Sequence, residues 1–219
     1  FKRVPGLDFS VGTRRSGAIP RMVARVLAGE TGILEISHPD ETPDVPDAHT
    51  DSGFAAFVTI LLGCNRRCTY CIVPDVRGAE YSRPAREILA EIAALARNGV
   101  REVTLLGQSV MSYGRANAVW DDGDAPSPGG YTEPFSRLLE AVASLPGIVR
   151  IRFTSGHPSG VTDQLVSAAS TLPKVCHHLH LPVQSGSDLI LKLMRRGYTR
   201  ADYLDAVRRL RTAMPDFAL

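Results

Sequence analysis

Long apolar runs are missing from this chain: none of its 219 residues falls in a stretch of 18 or more apolar side chains, so no membrane-spanning helix is read. No basic-then-apolar segment opens it either, so no secretory signal is read and the cytoplasm is the expected compartment. Lysine is scarce, with 22 of the 25 basic residues being arginine. Arginine suits phosphate recognition, and solvated arginines on helix faces account for the same bias. A dominant charge is lacking as well: 25 basic against 23 acidic residues leave +2, which argues for no partner. Cysteine is limited to four, three of them within eight residues. That distribution excludes a spread disulfide framework and points to a reducing compartment and metal binding.

What is present has the composition of an ordinary globular protein, 44% hydrophobic and 22% charged. The length suits one sizeable domain plus a fragment. Five acidic residues and no basic one fall between His38 and Asp51, among Pro39, Pro43 and Pro46. Residues 37–52 therefore read as an extended, solvated linker. Before it, Asp8–Gly12 reads as a short strand and turn. Ile19, Met22, Val23, Val26 and Leu27 have helical spacing, with Pro20 in the first turn and Gly29 as the stop. One strand and one helix cannot bury a core, so residues 1–36 are expected to be the tail of an upstream domain.

The informative stretch is Gly63-Cys64-Asn65-Arg66-Arg67-Cys68-Thr69-Tyr70-Cys71, a C-x3-C-x2-C spacing. The apolar run Phe54–Leu62 before it reads as a buried strand, which puts the cysteines in the loop at its C-terminal end. Three thiolates on one short loop can close round one face of a cubane, each sulfur binding a different iron. A 4Fe–4S cluster normally takes four cysteines, so three leave one iron open for chemistry. A zinc site would need a distant fourth ligand from Cys176 or a histidine. A thioredoxin-like Cys68–Cys71 dithiol would leave Cys64 unexplained and lacks the expected helix start.

From Gly53 strands and helices alternate. Helices are expected near 84–98, 133–145, 162–171, 187–195 and 200–213, and strands at 100–108, 149–154 and 178–183, with a fifth starting at Phe217. The 111–131 segment reads as a long loop. This is a set of parallel βαβ units, an α/β fold and specifically a partial (β/α) barrel cut open. Reactive groups in such barrels lie at the C-terminal strand ends. There the sequence places the cysteine loop, Gly107-Gln108, Ser155-Gly156-His157-Pro158 and Gln184-Ser185-Gly186-Ser187.

The three-cysteine pattern with an aromatic residue before the third cysteine resembles the radical S-adenosylmethionine (SAM) enzymes. Cys71-Ile72-Val73-Pro74, Arg77-Gly78, Ser82-Arg83-Pro84 and Leu105–Tyr113 resemble the methylthiotransferases among them. Ile151–Pro158, Leu179–Asp188 and Met194–Thr199 are similar to the branch acting on tRNA. Together these motifs cover almost all of residues 53–216. Gly156, where that family more often has serine, and Ser109, often asparagine, are small departures.

The resemblance implies a radical SAM core over residues 53–219, incomplete here, and makes Cys64, Cys68 and Cys71 the ligands of a 4Fe–4S cluster whose open iron is chelated by SAM. It sets Tyr70 beside the adenine, while Gln108, Ser155 and Gln184 are candidate polar contacts to SAM by position. It further implies transfer of a methylthio group to C2 of an isopentenylated adenosine beside the tRNA anticodon, with two SAM molecules consumed. A second 4Fe–4S cluster on an N-terminal domain, its cysteines outside this chain, and a low-potential donor of flavodoxin or ferredoxin type belong to the same expectation. So do a monomeric state and a C-terminal RNA-binding domain beyond this chain. The branches acting on threonylcarbamoyl-adenosine or a ribosomal protein, and a non-catalytic zinc module, are the alternatives. Cys176 reads as a buried, inert thiol. His157 and His180 lie near the strand tops, with either a pocket or a structural role. Arg195 and Arg196 suit an anion or a solvated helix end equally.

Overall fold

The protein is described by a computed structural model over residues 4–36, 44, 49–50, 53–121 and 123–219. Its first part is a small parallel unit of β1 (Phe9–Val11), α1 (Ile19–Leu27) and β2 (Ile33–Glu35), with β1 paired to β2. Pro20 sits in the first turn of α1, where its missing N–H is not needed. The strand and helix match expectation; β2 was not anticipated, because three residues are too few for an alternation to register. Met22 and Ile33 are buried, whereas Ile19, Val23, Leu27, Leu34 and Ile36 stay exposed.

The expected linker over 37–52 lies mostly outside the described residues. One part of it departs from expectation: His49–Thr50 form β3, antiparallel to β4 (Ala55–Thr59). The physical reason is that the outer edge of β4 carries backbone groups that need partners, and an adjoining chain segment supplies them.

After β4, the pair β5 (Leu61–Leu62) and β6 (Tyr81–Ser82) runs antiparallel and encloses α2 (Val73–Arg77). Then come α3 (Ala85–Arg97), β7 (Glu102–Leu106), α4 (Pro134–Ala143), β8 (Arg150–Phe153), α5 (Asp163–Thr171), α6 (Asp188–Leu193) and α7 (Arg200–Ala213). The sheet order is β3-β4-β7-β8, with β4, β7 and β8 mutually parallel. Each parallel step needs a crossover, and α3 and α4 provide them.

Register explains the core. Ala56 pairs with Val103 and Val103 with Ile151; Val58 pairs with Leu105 and Leu105 with Phe153. Successive strand residues point to opposite faces, so these six line one face, buried with Ile88, Ile92, Leu138 and Val142 of the helices. The other face carries Phe57, Thr104 and Arg152 in register. Phe57 is 41% exposed there, and Glu102 pairs with Arg150 and Arg152 at its lower end. This is the face a closed barrel would turn inward.

The expected fourth strand at 178–183 is corrected by the structure. The segment is extended, with Leu179 and Leu181 buried, yet it forms no ladder with the sheet: the bridge to β8 comes just before it, Ile151 to Val175, and its own bridge, His178 to Ala218, is to the end of the chain. Gly156 N–H donates to His180 O and Pro182 has no N–H to give, so a continuous ladder stops there. The parallel bridge at Ala218 agrees with the expected start of another strand. Cys176 departs from its expected burial: it is half-buried, with its N–H bonded to Ile151 O.

Candidate functional site

The β5–β6 pair holds the base of the cysteine loop, a feature invisible in two-residue strands. Between them Gly63 takes φ +71°, and Cys64 N–H donates to Gly78 O at 3.2 Å. Asn65 Oδ1 accepts from Glu80 N–H at 3.0 Å, and Cys71 N–H closes a turn on Cys68 O at 3.1 Å. Pro74 sits in the first turn of α2 and makes the loop's return stiff. The far side of the loop is tied to α6: Thr69 N–H donates to Met194 O at 3.3 Å and its hydroxyl to Leu193 O at 3.2 Å.

One cavity of about 210 Å³ opens at the C-terminal ends of the strands and is lined by all seven residues expected to form the site. Cys64, Cys68, Tyr70 and Cys71 come from the loop after β4 and β5, Gln108 from the end of β7, Ser155 from the end of β8 and Gln184 from the extended segment. Both histidines named from the sequence also line it. Cys176 and Arg195 do not.

Burial pushes the Cys64 thiol up, and the Arg66 backbone N–H, 3.4 Å from its sulfur, pulls it back toward the thiolate. Among the described residues no group of three or more His, Cys, Asp or Glu converges on one point as a single metal ion would need. A cubane has no such requirement, since each thiolate meets a different iron. The remaining lining suits a polar, charged ligand. Gln108 Oε1, Ser109 Oγ, His157 Nε2 and Arg66 Nε are buried without a hydrogen-bond partner. A native interior rarely leaves such groups unpaired, because each costs about 1–3 kcal/mol. The donor set and these four atoms fit a thiolate-bound cluster with SAM beside it.

Backbone strain falls on the same cavity. Three non-glycine residues among those described have left-handed φ, namely Ser155 at 58°, Gln184 at 68° and Arg195 at 55°, and the first two line the cavity. A side chain in this region costs about 1–3 kcal/mol, which points to a function for the turn. Gly156 is required where the strand top meets the extended segment: a Cβ there would lie 2.7 Å from His180 O. The departure at Gly156 thus sets how closely these two walls approach.

His157 is 4% exposed and caps the turn Pro158–Gly160. Its Nδ1 accepts from Ser159 N–H at 3.3 Å and lies 2.8 Å from Ser159 Oγ, which leaves the proton of the neutral ring on Nε2. Its ring meets Tyr198 edge-on at 5.3 Å. Burial, then the charges of Arg66, Arg196 and Arg115, push its pKa down to about 3. Unfolding releases this histidine to its ordinary value near 6.5, so the unfolded chain takes up a proton that the folded chain refuses. Stability contributed by neutral His157 is fully present above pH 6.5 and falls as the pH drops toward 3, by at most about 1.4 kcal/mol per pH unit. Urea unfolding between pH 7 and 4 is expected to show a steeper acid loss in wild type than in His157→Asn. Equal pH slopes for the two proteins would contradict the assignment.

Sequence reasoning missed Arg66 and left Arg196 undecided. Arg66 lies between two cysteines of a short loop, so its backbone position alone obliges it to stand near the cavity. Its Nη2 donates to Ser159 Oγ at 3.3 Å. Arg196, three residues past α6, carries no periodic signal, yet it is 8% exposed and reaches the cysteine loop from the far wall.

The Radical SAM superfamily profile matches residues 58–218. The chain is 44% identical to tRNA-2-methylthio-N(6)-dimethylallyladenosine synthase of Syntrophus aciditrophicus over 219 residues, 99% of this chain and 45% of that protein. Identity to the synthase of that name from Caldicellulosiruptor saccharolyticus is 43% over 220 residues, 100% of this chain and 44% of that protein. The chain therefore spans less than half the length of these relatives. Among solved structures, the radical SAM methyltransferase TsrM from Kitasatospora setae, with tryptophan and a SAM analogue bound, superposes at a TM-score of 0.53 with 16% identity. That match covers 74% of this chain and 29% of TsrM, and at such identity it speaks for the fold alone. A profile match over most of the chain, on a parallel α/β core with three cysteines at its strand ends, means that this chain belongs to the radical SAM superfamily.

Proposed function

We propose that this chain forms the radical SAM part of a tRNA methylthiotransferase, one that places a methylthio group on C2 of an N6-isopentenylated adenosine beside the anticodon. The carrying observation is the convergence of three thiols and four unpartnered polar atoms on one strand-end cavity. Identity of 40–44% across the whole chain to synthases of that modification supports the substrate.

In this reading Cys64, Cys68 and Cys71 hold a 4Fe–4S cluster, and Tyr70, Gln108, Ser155 and Gln184 surround SAM. When bound, the two cofactors would supply radical chemistry strong enough to remove a carbon-bound hydrogen; the protein supplies orientation and exclusion of water. Gln108 Oε1 offers an acceptor and His157 Nε2–H a donor, both fixed by burial before any ligand arrives. The strained turns at Ser155 and Gln184 bring their backbones to the cavity wall.

Residues 53–219 make up the radical SAM core in this proposal, and residues 1–36 belong to the neighbouring methylthiotransferase domain. A second 4Fe–4S cluster, whose cysteines lie outside this chain, handles the sulfur. tRNA and a low-potential flavodoxin- or ferredoxin-type donor are the partners, the protein acts as a monomer, and the cytoplasm is the place of action. No helix among the described residues is long and apolar enough to cross a membrane.

Mass spectrometry of tRNA nucleosides from cells with and without the gene tests the reading. Deletion is expected to abolish 2-methylthio-N6-dimethylallyladenosine and accumulate the form lacking sulfur. Loss of a methylthiolated threonylcarbamoyl-adenosine instead would transfer the protein to the sister branch. An unchanged nucleoside profile, with one tightly held zinc in the purified protein, would sink the enzymatic reading.

A further inference from the structure

Arg196 has no part in the assignments above, yet its environment is specific. Its Nη1 donates to Cys68 Sγ at 3.2 Å and to Tyr70 Oη at 3.3 Å, and its Nε to Tyr198 Oη at 3.3 Å. The Tyr198 hydroxyl in turn donates to Val183 O at 2.7 Å, next to Gln184. One guanidinium thus joins the cysteine loop to the opposite wall of the cavity. Thr69, bonded to Leu193 O and Met194 O, fastens the same two segments one residue away. A planar fork with fixed N–H directions serves three acceptors at once, which a lysine ammonium on a flexible stem does not.

We propose that Arg196 is a positioning residue that holds Cys68 and Tyr70 in place and, through its N–H···S bond and charge, raises the reduction potential of a cluster bound to Cys68. This rests on the cluster reading of the cavity. The physical basis is that reduction adds negative charge to the cluster and its sulfurs. A buried cation donating to a ligand sulfur stabilises the reduced form more than the oxidised one. The Cys64 sulfur accepts from the uncharged Arg66 backbone N–H at 3.4 Å, whereas Cys68 takes its bond from a cationic side chain. The charged donor therefore acts at Cys68.

The test uses the full chain reconstituted anaerobically with ferrous iron and sulfide, titrated with dithionite and mediators and followed by electron paramagnetic resonance. Arg196→Met is expected to bind as much iron as wild type, with its reduced-to-oxidised ratio at a fixed potential lowered about tenfold, a shift of about 59 mV for one electron. Arg196→Lys, which keeps the charge but not the fork, is expected to fall between the two. Tyr70→Phe leaves the bond to sulfur intact and is expected to keep the wild-type potential. In the metal-free chain, Arg196→Met is expected to speed amide exchange over residues 64–72 about tenfold, with β4 unaffected. An unaltered potential at full iron content overturns the proposal, even where exchange quickens, since Arg196 would then be a structural tie alone. A wild-type chain that takes up no cluster defeats the cluster reading instead; unaltered exchange in Arg196→Met then defeats the positioning role as well.

Discussion

Single replacement of Cys64, Cys68 or Cys71 by alanine is expected to strip the reconstituted chain of iron and to abolish SAM cleavage, while Cys176→Ala retains both. Wild type is expected to hold about four irons, the content of one cubane. The three cysteines line one cavity; with each sulfur on a different iron, as proposed, two thiolates would leave two irons without a protein ligand. Cys176 stands outside the cavity, half-buried, its thiol pushed up by burial despite the nearby charges of Arg152 and Arg150. It lacks the location of a ligand, since it does not line the cavity that holds the other three. Iron and sulfide analysis with 5′-deoxyadenosine quantification checks the set. A Cys176 variant that lost its cluster while a Cys64 variant kept it would reverse the assignment.

Gly63→Ala is expected to be the most damaging glycine substitution in the core, lowering stability by more than about 3 kcal/mol and preventing cluster assembly. Two effects add. Left-handed φ costs an alanine about 1–2 kcal/mol. The added Cβ would also lie 2.2 Å from Ala79 O and 2.6 Å from Gly78 O, and backbone atoms cannot swing aside as a flexible side chain does. Relief would require parting β5 from β6, which sets the cysteine loop free at its base. Gly29→Ala is the control: its φ of +92° is similarly unfavourable, but nothing stands within 4 Å of the new carbon. Only the backbone cost is expected there. Chemical denaturation of the two variants separates conformational strain from collision, and equal losses would mean that the close approach at Gly63 does not matter.

The helices were legible because each carries a strong local signal. The apolar spacing of Ile88 and Ile92 with Asn98-Gly99 behind it defines α3, which ends at Arg97. Thr199 and Asp202 form a capping box, in which each side chain accepts from the other's backbone N–H, and open α7 where the sequence placed a helix. The 178–183 segment shows where such reading stops. Its alternation is real, with Leu179 and Leu181 buried, but whether an alternating segment pairs along its length depends on what lies beside it. The neighbours here offer one bridge, His178 to Ala218, and Gly156 N–H takes the His180 carbonyl. The short strands β2 and β6 were illegible for a related reason: two or three residues have no period, and only their partners make them strands. The expected strand Phe54–Leu62 is divided after Thr59, with Leu61–Leu62 turning to pair with β6 as β5.

The sequence by itself determined that three thiols would meet at one cavity. Three cysteines within eight residues at the end of an apolar strand stay together because their mutual distance is bounded by the loop that carries them. The βα alternation likewise determined that Gln108, Ser155 and Gln184 would collect at one end of the sheet, since parallel strands send all their C-terminal loops to the same side. Only the tertiary structure decided what those donors face. Arg196 lies 128 positions from Cys68 and bonds its sulfur, and Tyr198 reaches back to Val183. Ser159 joins Arg66 to His157, whose second proton is excluded by burial and by three arginine charges. Local propensity acts over a few residues, whereas contacts and desolvation depend on which distant surfaces the fold brings together.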